Sequence, residues 1–280
     1  MSTATLAAPG VRRPGRLLTT SRIGVVVLLV LAVANGIFLY LLPAQAEPHY
    51  AWPIAPPVNA AFLGAGYLAG TLATALVVFF TRSWRSLRLL PLALVVLSVG
   101  LLAATIIHAD RFRWDYPLTW IWTAVYAGVP FVVAVLWRRQ ERSAPPTPPA
   151  HPGLRTLRVA SAVIGVLVGA GAIALYVAPA SDVWPWPLTP LLGRAVASWY
   201  ALIATALLVS AWSLRRPSEA LIPYATLLAW SLLLLALPLL HDVNGPNLAL
   251  WLGVMGVLAA LAVYALARAI PLARAAGERL

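Results

Sequence analysis

The sequence predicts an all-α integral membrane protein of about eight transmembrane helices, arranged as two parallel four-helix repeats with both termini in the cytoplasm. Composition, the spacing of apolar stretches and the placement of arginine predict this class. Hydrophobic residues make up 61% of the 280 residues and charged residues 10%, and the mean hydropathy is +0.86. An ordinary soluble domain has roughly 25% charged residues and a solvated surface. Lipid is therefore the solvent that fits this chain.

Apolar stretches of membrane-spanning length recur along the chain. A helix needs about 20 mostly apolar residues to cross the hydrocarbon layer. The predicted spans are 22–42, 59–81, 87–108, 117–137, 157–178, 191–213, 219–240 and 247–270. An alternative interpretation makes the first span a signal peptide cleaved after Ala44-Gln45-Ala46. This span is longer than the roughly 7–15 residues of a signal core, and a matching segment recurs later in the chain.

Arginine accounts for all 20 basic residues, and it predicts the orientation of the helices. Seventeen arginines lie on one side of the predicted spans, and only Arg111, Arg113 and Arg194 lie on the other, together with five of the eight acidic residues. The positive-inside rule places the arginine-rich side in the cytoplasm. It also accounts for the net charge of +12 without a nucleic-acid partner, because the arginines form no continuous basic patch. The use of arginine without lysine is typical of GC-rich bacteria, so we expect a bacterial plasma membrane.

The two halves of the chain share landmarks in the same order, which predicts an internal duplication. The matching landmarks are Tyr40 and Tyr176, Trp52-Pro53 and Trp186-Pro187, Arg82 and Arg216, His108 and His241, and Trp122 and Trp251. Four spans return the chain to its starting side, so the halves are parallel and their pseudo-twofold axis follows the membrane normal. The predicted division is a disordered basic tail (1–21), a first repeat (22–137), a proline-rich linker (138–156) and a second repeat (157–280). The prolines of residues 138–156 predict that this linker is extended and poorly packed.

The predicted outer side carries two related loops rich in tryptophan and proline. Trp52 and Trp186 each begin a W-P-x-x-P segment. Proline biases its predecessor towards extended backbone, so we expect non-helical loops that fold back. One hypothesis makes the loops paired lids over an outer cavity, in contact with a ligand or partner. The alternative is a pair of stiff turns within an aromatic belt at the headgroups.

Two histidines follow equivalent spans on the same side. His108 precedes Asp110, and His241 precedes Asp242. Imidazoles oriented by carboxylates are competent metal ligands or pH-sensing groups. Alternatively, each histidine caps the carbonyl end of its helix. Arg194 begins the sixth span and could bind a phosphate or carboxylate, or extend its side chain to the interface.

No carboxylate lies inside the hydrocarbon core of a predicted span, and polar groups there are few. The small polar side chains that could line a path include Asn35, Ser98, Thr105, Thr123, Ser161 and Ser231. They either line a neutral path or bond backbone carbonyls within their own helices. The G-x-x-x-G motifs of Gly66/Gly70 and Gly165/Gly169 predict close helix packing. Absence of cysteine excludes disulfides and thiolate metal sites.

Three functions remain open from the sequence. We expect a non-catalytic accessory, scaffold or ligand-binding membrane protein that acts through its outer loops, on lipid or on a membrane-protein partner. The second hypothesis is a transporter of a neutral or lipid-like solute along the pseudo-twofold axis. The third is an outward-facing enzyme that uses the histidines and aspartates. The sequence names neither a cofactor nor an oligomeric state.

Overall fold

Long helices account for almost all of the computed structural model, which describes residues 17–80, 84–144, 146–179 and 184–278. Within these residues, eight helices are long and apolar enough to cross a membrane. They are α1 (Thr19–Leu41), α2 (Pro57–Ala75), α3 (Pro91–Ile107), α4 (Pro117–Glu141), α5 (Arg155–Val177), α6 (Pro190–Ser213), α7 (Leu221–Leu240) and α8 (Leu248–Ala275). The predicted all-α, multi-span membrane class is confirmed. The predicted tail lies mainly outside the described residues, although its last three residues open α1.

Proline sets the start of four of these helices. It occupies the first turn of α2, α3, α4 and α6, where its missing N–H has no intrahelical partner to lose and its fixed φ suits the helix. Shorter helical segments precede or extend the long ones. They are Pro43–Gln45, Ala46–His49, Leu76–Phe80, Trp84–Leu87, Ala109–Arg111, Pro152–Leu154 and Pro217–Ala220.

Two connecting segments differ from their predicted form. The loop after α1 is helical over Pro43–Gln45 and Ala46–His49, and only the segment around its W-P-x-x-P residues is irregular. The end of the predicted linker is packed against the bundle, because Leu154 is fully buried. The His151 N–H also donates to the Arg215 carbonyl over 2.9 Å. The linker is therefore docked on the connection between α6 and α7.

Helix packing follows the same plan in both halves of the chain. In the first half α1 packs against α2 and α3 against α4; in the second, α5 packs against α6 and α7 against α8. Between the halves, α3 packs against α6, α2 packs against α7, and α2 also touches α6. Exchanging the halves leaves this set of neighbours unchanged. The central helices α2, α6 and α7 are the most buried of the eight.

Hydrogen bonds assign the connecting segments to two ends of the bundle. At the tryptophan end lie residues 42–56, 108–116, 184–189 and 241–247, where the Arg113 N–H donates to the Ala51 carbonyl over 3.0 Å. At the arginine end lie the start of α1, residues 84–90, 142–144, 146–154 and 214–220, and the end of α8. There the Ser218 N–H donates to the Glu278 carboxylate over 2.9 Å.

Candidate functional site at the tryptophan end

The first W-P-x-x-P loop places its tryptophan inside the protein. Trp52 is 2% exposed and makes edge contacts with Tyr50 and Trp122, with ring centroids 5.2 and 4.7 Å away. Tyr50 also meets Trp122 edge-on at 5.8 Å. The Tyr50 hydroxyl donates to Asn35 Oδ1 over 2.9 Å, and burial raises the pKa of this hydroxyl well above its ordinary value. The three rings form a closed aromatic triad that fixes the loop.

The second loop repeats this arrangement with different residues. Trp186 is 6% exposed and makes edge contacts with Trp184 and Trp251, at centroid distances of 5.3 and 5.1 Å. Trp184 also meets Trp251 edge-on at 6.4 Å. Edge-to-face pairs of this kind stabilise by about 0.5–1.5 kcal/mol beyond their buried area. Each half of the bundle is thus closed at the tryptophan end by a triad of rings.

Asn59 ties the second loop to the first half of the chain. Its side chain is fully buried in the first turn of α2. Its Oδ1 accepts from Trp186 Nε1 over 2.9 Å, and its Nδ2 donates to the Pro187 carbonyl over 3.2 Å. Asn59 is not among the site residues predicted from the sequence. A lone polar side chain next to the repeated loop is the signal that could have identified it.

Burial decides what the two loop tryptophans can contact. Both indoles are packed against other rings of the chain, so they fill the space beneath the loops rather than presenting a surface. That Trp52 and Trp186 contact a ligand or partner remains a prediction. In this structure, such contact would require the loops to move.

Arg194 and His108 join the two halves at the same end. Arg194 Nη1 lies 2.8 Å from His108 Nε2. A guanidinium only donates, so Nε2 is the acceptor and the imidazole is neutral. Burial and the charge of Arg194 lower the pKa of His108 below 6.5. The guanidinium carbon also lies 6.0 Å from the ring centroid of Tyr176, a cation–π contact.

Among the other members of the predicted histidine and aspartate cluster, Asp110 acts on His108 through its charge, which opposes the lowering of the His108 pKa, and Asp242 acts in the same way on His241. Asp110 forms an exposed ion pair with Arg111 over 3.1 Å. His241 caps the end of α7, and burial lowers its pKa. Asp242 is exposed with a φ of 48°, a conformation that aspartate tolerates better than most residues. In the described part of the chain, no three His, Asp or Glu side chains are grouped in a way that could hold a metal ion.

Two tyrosines make reciprocal hydrogen bonds between the halves. The Tyr40 hydroxyl at the end of α1 donates to the Leu233 carbonyl of α7 over 3.0 Å. The Tyr176 hydroxyl at the end of α5 donates to the Gly100 carbonyl of α3 over 2.9 Å. From the sequence, Tyr40 and Tyr176 were matched only as equivalent positions of the two halves. Their partners could not be read from the sequence, since each lies on a helix of the opposite half.

Polar groups within the spans bond mainly to their own helices. Ser98, Thr105, Thr123 and Ser161 each donate to the carbonyl four residues earlier, over 2.7–2.8 Å, and Asn35 does so over 2.9 Å. A cavity of about 40 Å³ lies between α6 and α7 towards the arginine end, with mainly apolar walls. It has room for only a few water molecules. The donors of these polar side chains are thus used within their own helices.

Comparison with protein-family models, with curated proteins and with solved structures found no match for this chain.

Proposed function

We propose that this chain is a non-catalytic accessory or scaffold protein of a bacterial plasma membrane, which contacts a partner protein or lipid through the tryptophan end. In this proposal both termini are cytoplasmic and the tryptophan end faces outwards. The protein descends from a duplication of a four-helix unit, with a first repeat at 22–137 and a second at 157–280. No catalytic residue or cofactor is assigned.

The arginine distribution supports the proposed orientation. Among the described residues, most arginines lie at the end that contains residues 142–144, 146–154 and 214–220, whereas only Arg111, Arg113 and Arg194 lie at the tryptophan end. Cytoplasmic connections are enriched in basic residues because such residues resist translocation.

Three structural features support the duplication. Helix neighbours are unchanged when the halves are exchanged, each half carries one aromatic triad, and the bonds from Tyr40 and Tyr176 are reciprocal. Gly100 and Leu233 are separated by the same 133 positions as His108 and His241. Unrelated helices would have no reason to place donors and acceptors at matching positions.

The closure of both loops by buried ring triads is the observation that carries the proposed function. A transporter requires a route for its solute, and an enzyme requires a cleft that admits its substrate. The triads instead fill the tryptophan end with rigid rings, which suits a fixed surface for docking. Exposed aromatic side chains border this surface, namely Trp114, Tyr116 and Trp120.

Exposed tryptophans at opposite ends provide a matched test of the docking surface. Trp120 at the tryptophan end is 60% exposed, and Trp212 near the arginine end is 78% exposed. The experiment is mild-detergent purification of tagged wild type, Trp120→Ala and Trp212→Ala from the native membrane, with quantitative mass spectrometry. We expect a stoichiometric partner that is depleted by Trp120→Ala and retained by Trp212→Ala. Equal recovery from both variants, or solute flux through reconstituted wild type, would contradict the proposal.

Orientation can be tested separately because the chain has no cysteine. Asp242→Cys and Arg142→Cys place one thiol at each end of the bundle. A membrane-impermeant maleimide added to intact cells should label the first variant and label the second only after lysis. The reverse pattern would overturn the proposed topology.

A further inference from the structure

We infer that Arg194 binds the phosphate group of a phospholipid in the leaflet that borders the tryptophan end. The site lies where α3, α5 and the first turn of α6 meet. The inference rests on membrane residence and on local geometry, and it is independent of the proposed partner docking.

The guanidinium of Arg194 is held in place while one of its edges stays free. Nη1 makes the hydrogen bonds of this side chain, to His108 Nε2 at 2.8 Å and to the Pro190 carbonyl at 3.5 Å. The guanidinium carbon also lies 6.0 Å from the centroid of the Tyr176 ring. Nε and Nη2 have no partner among the described residues. This edge offers two parallel N–H donors, the pattern that binds a phosphate or carboxylate through two oxygens.

The charge around Arg194 favours an anion. Neither described ion pair of the chain includes it, and its neighbour His108 is neutral. Asp110, the acid nearest in sequence to His108, is paired with Arg111. The N-terminus of α6 adds the positive end of its helix dipole. A cation that forms no ion pair among the described residues, and that is held by the hydrogen bond to His108, is suited to a ligand that supplies the negative charge.

Apolar side chains next to the site indicate that the anion belongs to a lipid. Ile107 precedes His108 and is 53% exposed, and Val177 follows Tyr176 and is 75% exposed. One turn earlier on α5, Ile173 is 69% exposed. These helix ends face the hydrocarbon layer in a protein of this class. A phospholipid whose phosphate meets Arg194 would lay its acyl chains along these side chains, which free phosphate cannot do.

The test measures lipid retention and separates a lipid phosphate from free phosphate. Delipidated protein in mild detergent is titrated with phosphatidylglycerol, with diacylglycerol of the same chains, or with inorganic phosphate, and bound lipid is counted by native mass spectrometry. We expect phosphatidylglycerol to bind about tenfold more tightly than diacylglycerol, a difference of about 1.4 kcal/mol, since only phosphatidylglycerol offers a phosphate to the charged N–H donors. Inorganic phosphate at millimolar concentration should displace little of it. Equal binding of the two lipids, or displacement by inorganic phosphate alone, would overturn the inference.

Variants assign the binding to the free edge of Arg194. Arg194→Gln should weaken phosphatidylglycerol binding about tenfold, and Arg194→Lys should weaken it less, since lysine keeps the charge without the two-donor edge. Arg111→Gln is the control, because Arg111 lies at the same end but is exposed and paired with Asp110. The thermal unfolding midpoint of each variant reports its folding, and Arg194→Lys carries the test if Arg194→Gln does not fold. If Arg111→Gln weakens phosphatidylglycerol binding as much as Arg194→Gln does, the assignment to Arg194 is refuted.

Discussion

One added methyl group at Gly66 tests the contact between the halves at the centre of the bundle. Here α2 meets α6, and a Cβ on Gly66 would lie 2.5 Å from Cζ3 of the Trp199 ring. Carbon atoms pack favourably about 3.5–4.0 Å apart, so the ring or a helix must shift by roughly 1 Å. Overpacking of a well-packed interior typically costs about 1–3 kcal/mol. We expect Gly66→Ala to lower the free energy of unfolding by about 2 kcal/mol.

Gly70 supplies the matched control on the same helix. No heavy atom lies within 4 Å of the position its Cβ would take, and alanine favours the helix by up to about 1 kcal/mol. Gly70→Ala should therefore be neutral or stabilising. In the second G-x-x-x-G motif, Gly165 faces the flexible Leu208 at 3.0 Å and Gly169 faces Ala204 at 3.5 Å, so their alanine variants should cost less than Gly66→Ala.

Unfolding in mixed micelles with increasing denaturing detergent, followed by tryptophan fluorescence, measures these differences. An equal loss of stability in Gly66→Ala and Gly70→Ala would refute the packing argument. It would mean that the Trp199 ring beside Gly66 makes no difference to the effect of an added methyl group.

Three further predictions concern the polar contacts. Tyr40→Phe and Tyr176→Phe should each lower the free energy of unfolding by about 0.6–1 kcal/mol. The two losses should add in the double variant because the two hydrogen bonds share no residue; a large deviation from additivity would contradict this. Asn59→Ala should cost about 2–4 kcal/mol, since it leaves a buried indole N–H and a carbonyl unpaired; a cost below 1 kcal/mol in the same unfolding assay would refute the role of this amide. Because the pKa of His108 is lowered in the folded protein, the unfolded chain binds a proton at this residue at a higher pH than the folded chain does. The free energy of unfolding is therefore greatest above pH 6.5 and decreases as the pH falls below it. His108→Gln should reduce the loss of stability between pH 7.5 and 5, and His241→Gln should reduce the remaining loss, since His241 also has a lowered pKa. An unchanged dependence of stability on pH in both variants would contradict this assignment.

The spans could be predicted within a few residues because their signals are local. A run of about 20 apolar residues and flanking arginines or prolines lie within one window of sequence. The largest differences are at the ends of two helices. The second span is predicted to end at residue 81, but α2 ends at Ala75 and is continued by the short segment Leu76–Phe80. The eighth span is predicted to end at residue 270, but α8 continues to Ala275, since the alanines and the arginine there are good helix formers.

The partners within the site could not be predicted, because in lipid both faces of a helix are apolar. A soluble helix reveals its buried face by the contrast between apolar and polar residues, whereas a spanning helix needs no such contrast. The pairing of His108 with Arg194 depends on the packing of α3 against α6, and the bond from Trp186 to Asn59 depends on where the second loop meets α2. Neither helix pair follows from the residues of one helix alone.

Under the proposed duplication, the differences between the halves indicate where the two repeats would have acquired different roles. The aromatic triads and the tyrosine bonds occur in both halves, which is expected of interactions that stabilise the common fold. The His–Arg pair occurs once: the position that corresponds to Arg194 is Ala60, which is fully buried and has no room for a guanidinium. A second lipid-phosphate site related by the pseudo-twofold axis is therefore not available beside His241. An interaction found in one half alone, with a free donor edge, is better explained by the proposed lipid ligand than by the stability of the bundle, and we therefore expect the specialised surface on the side of His108.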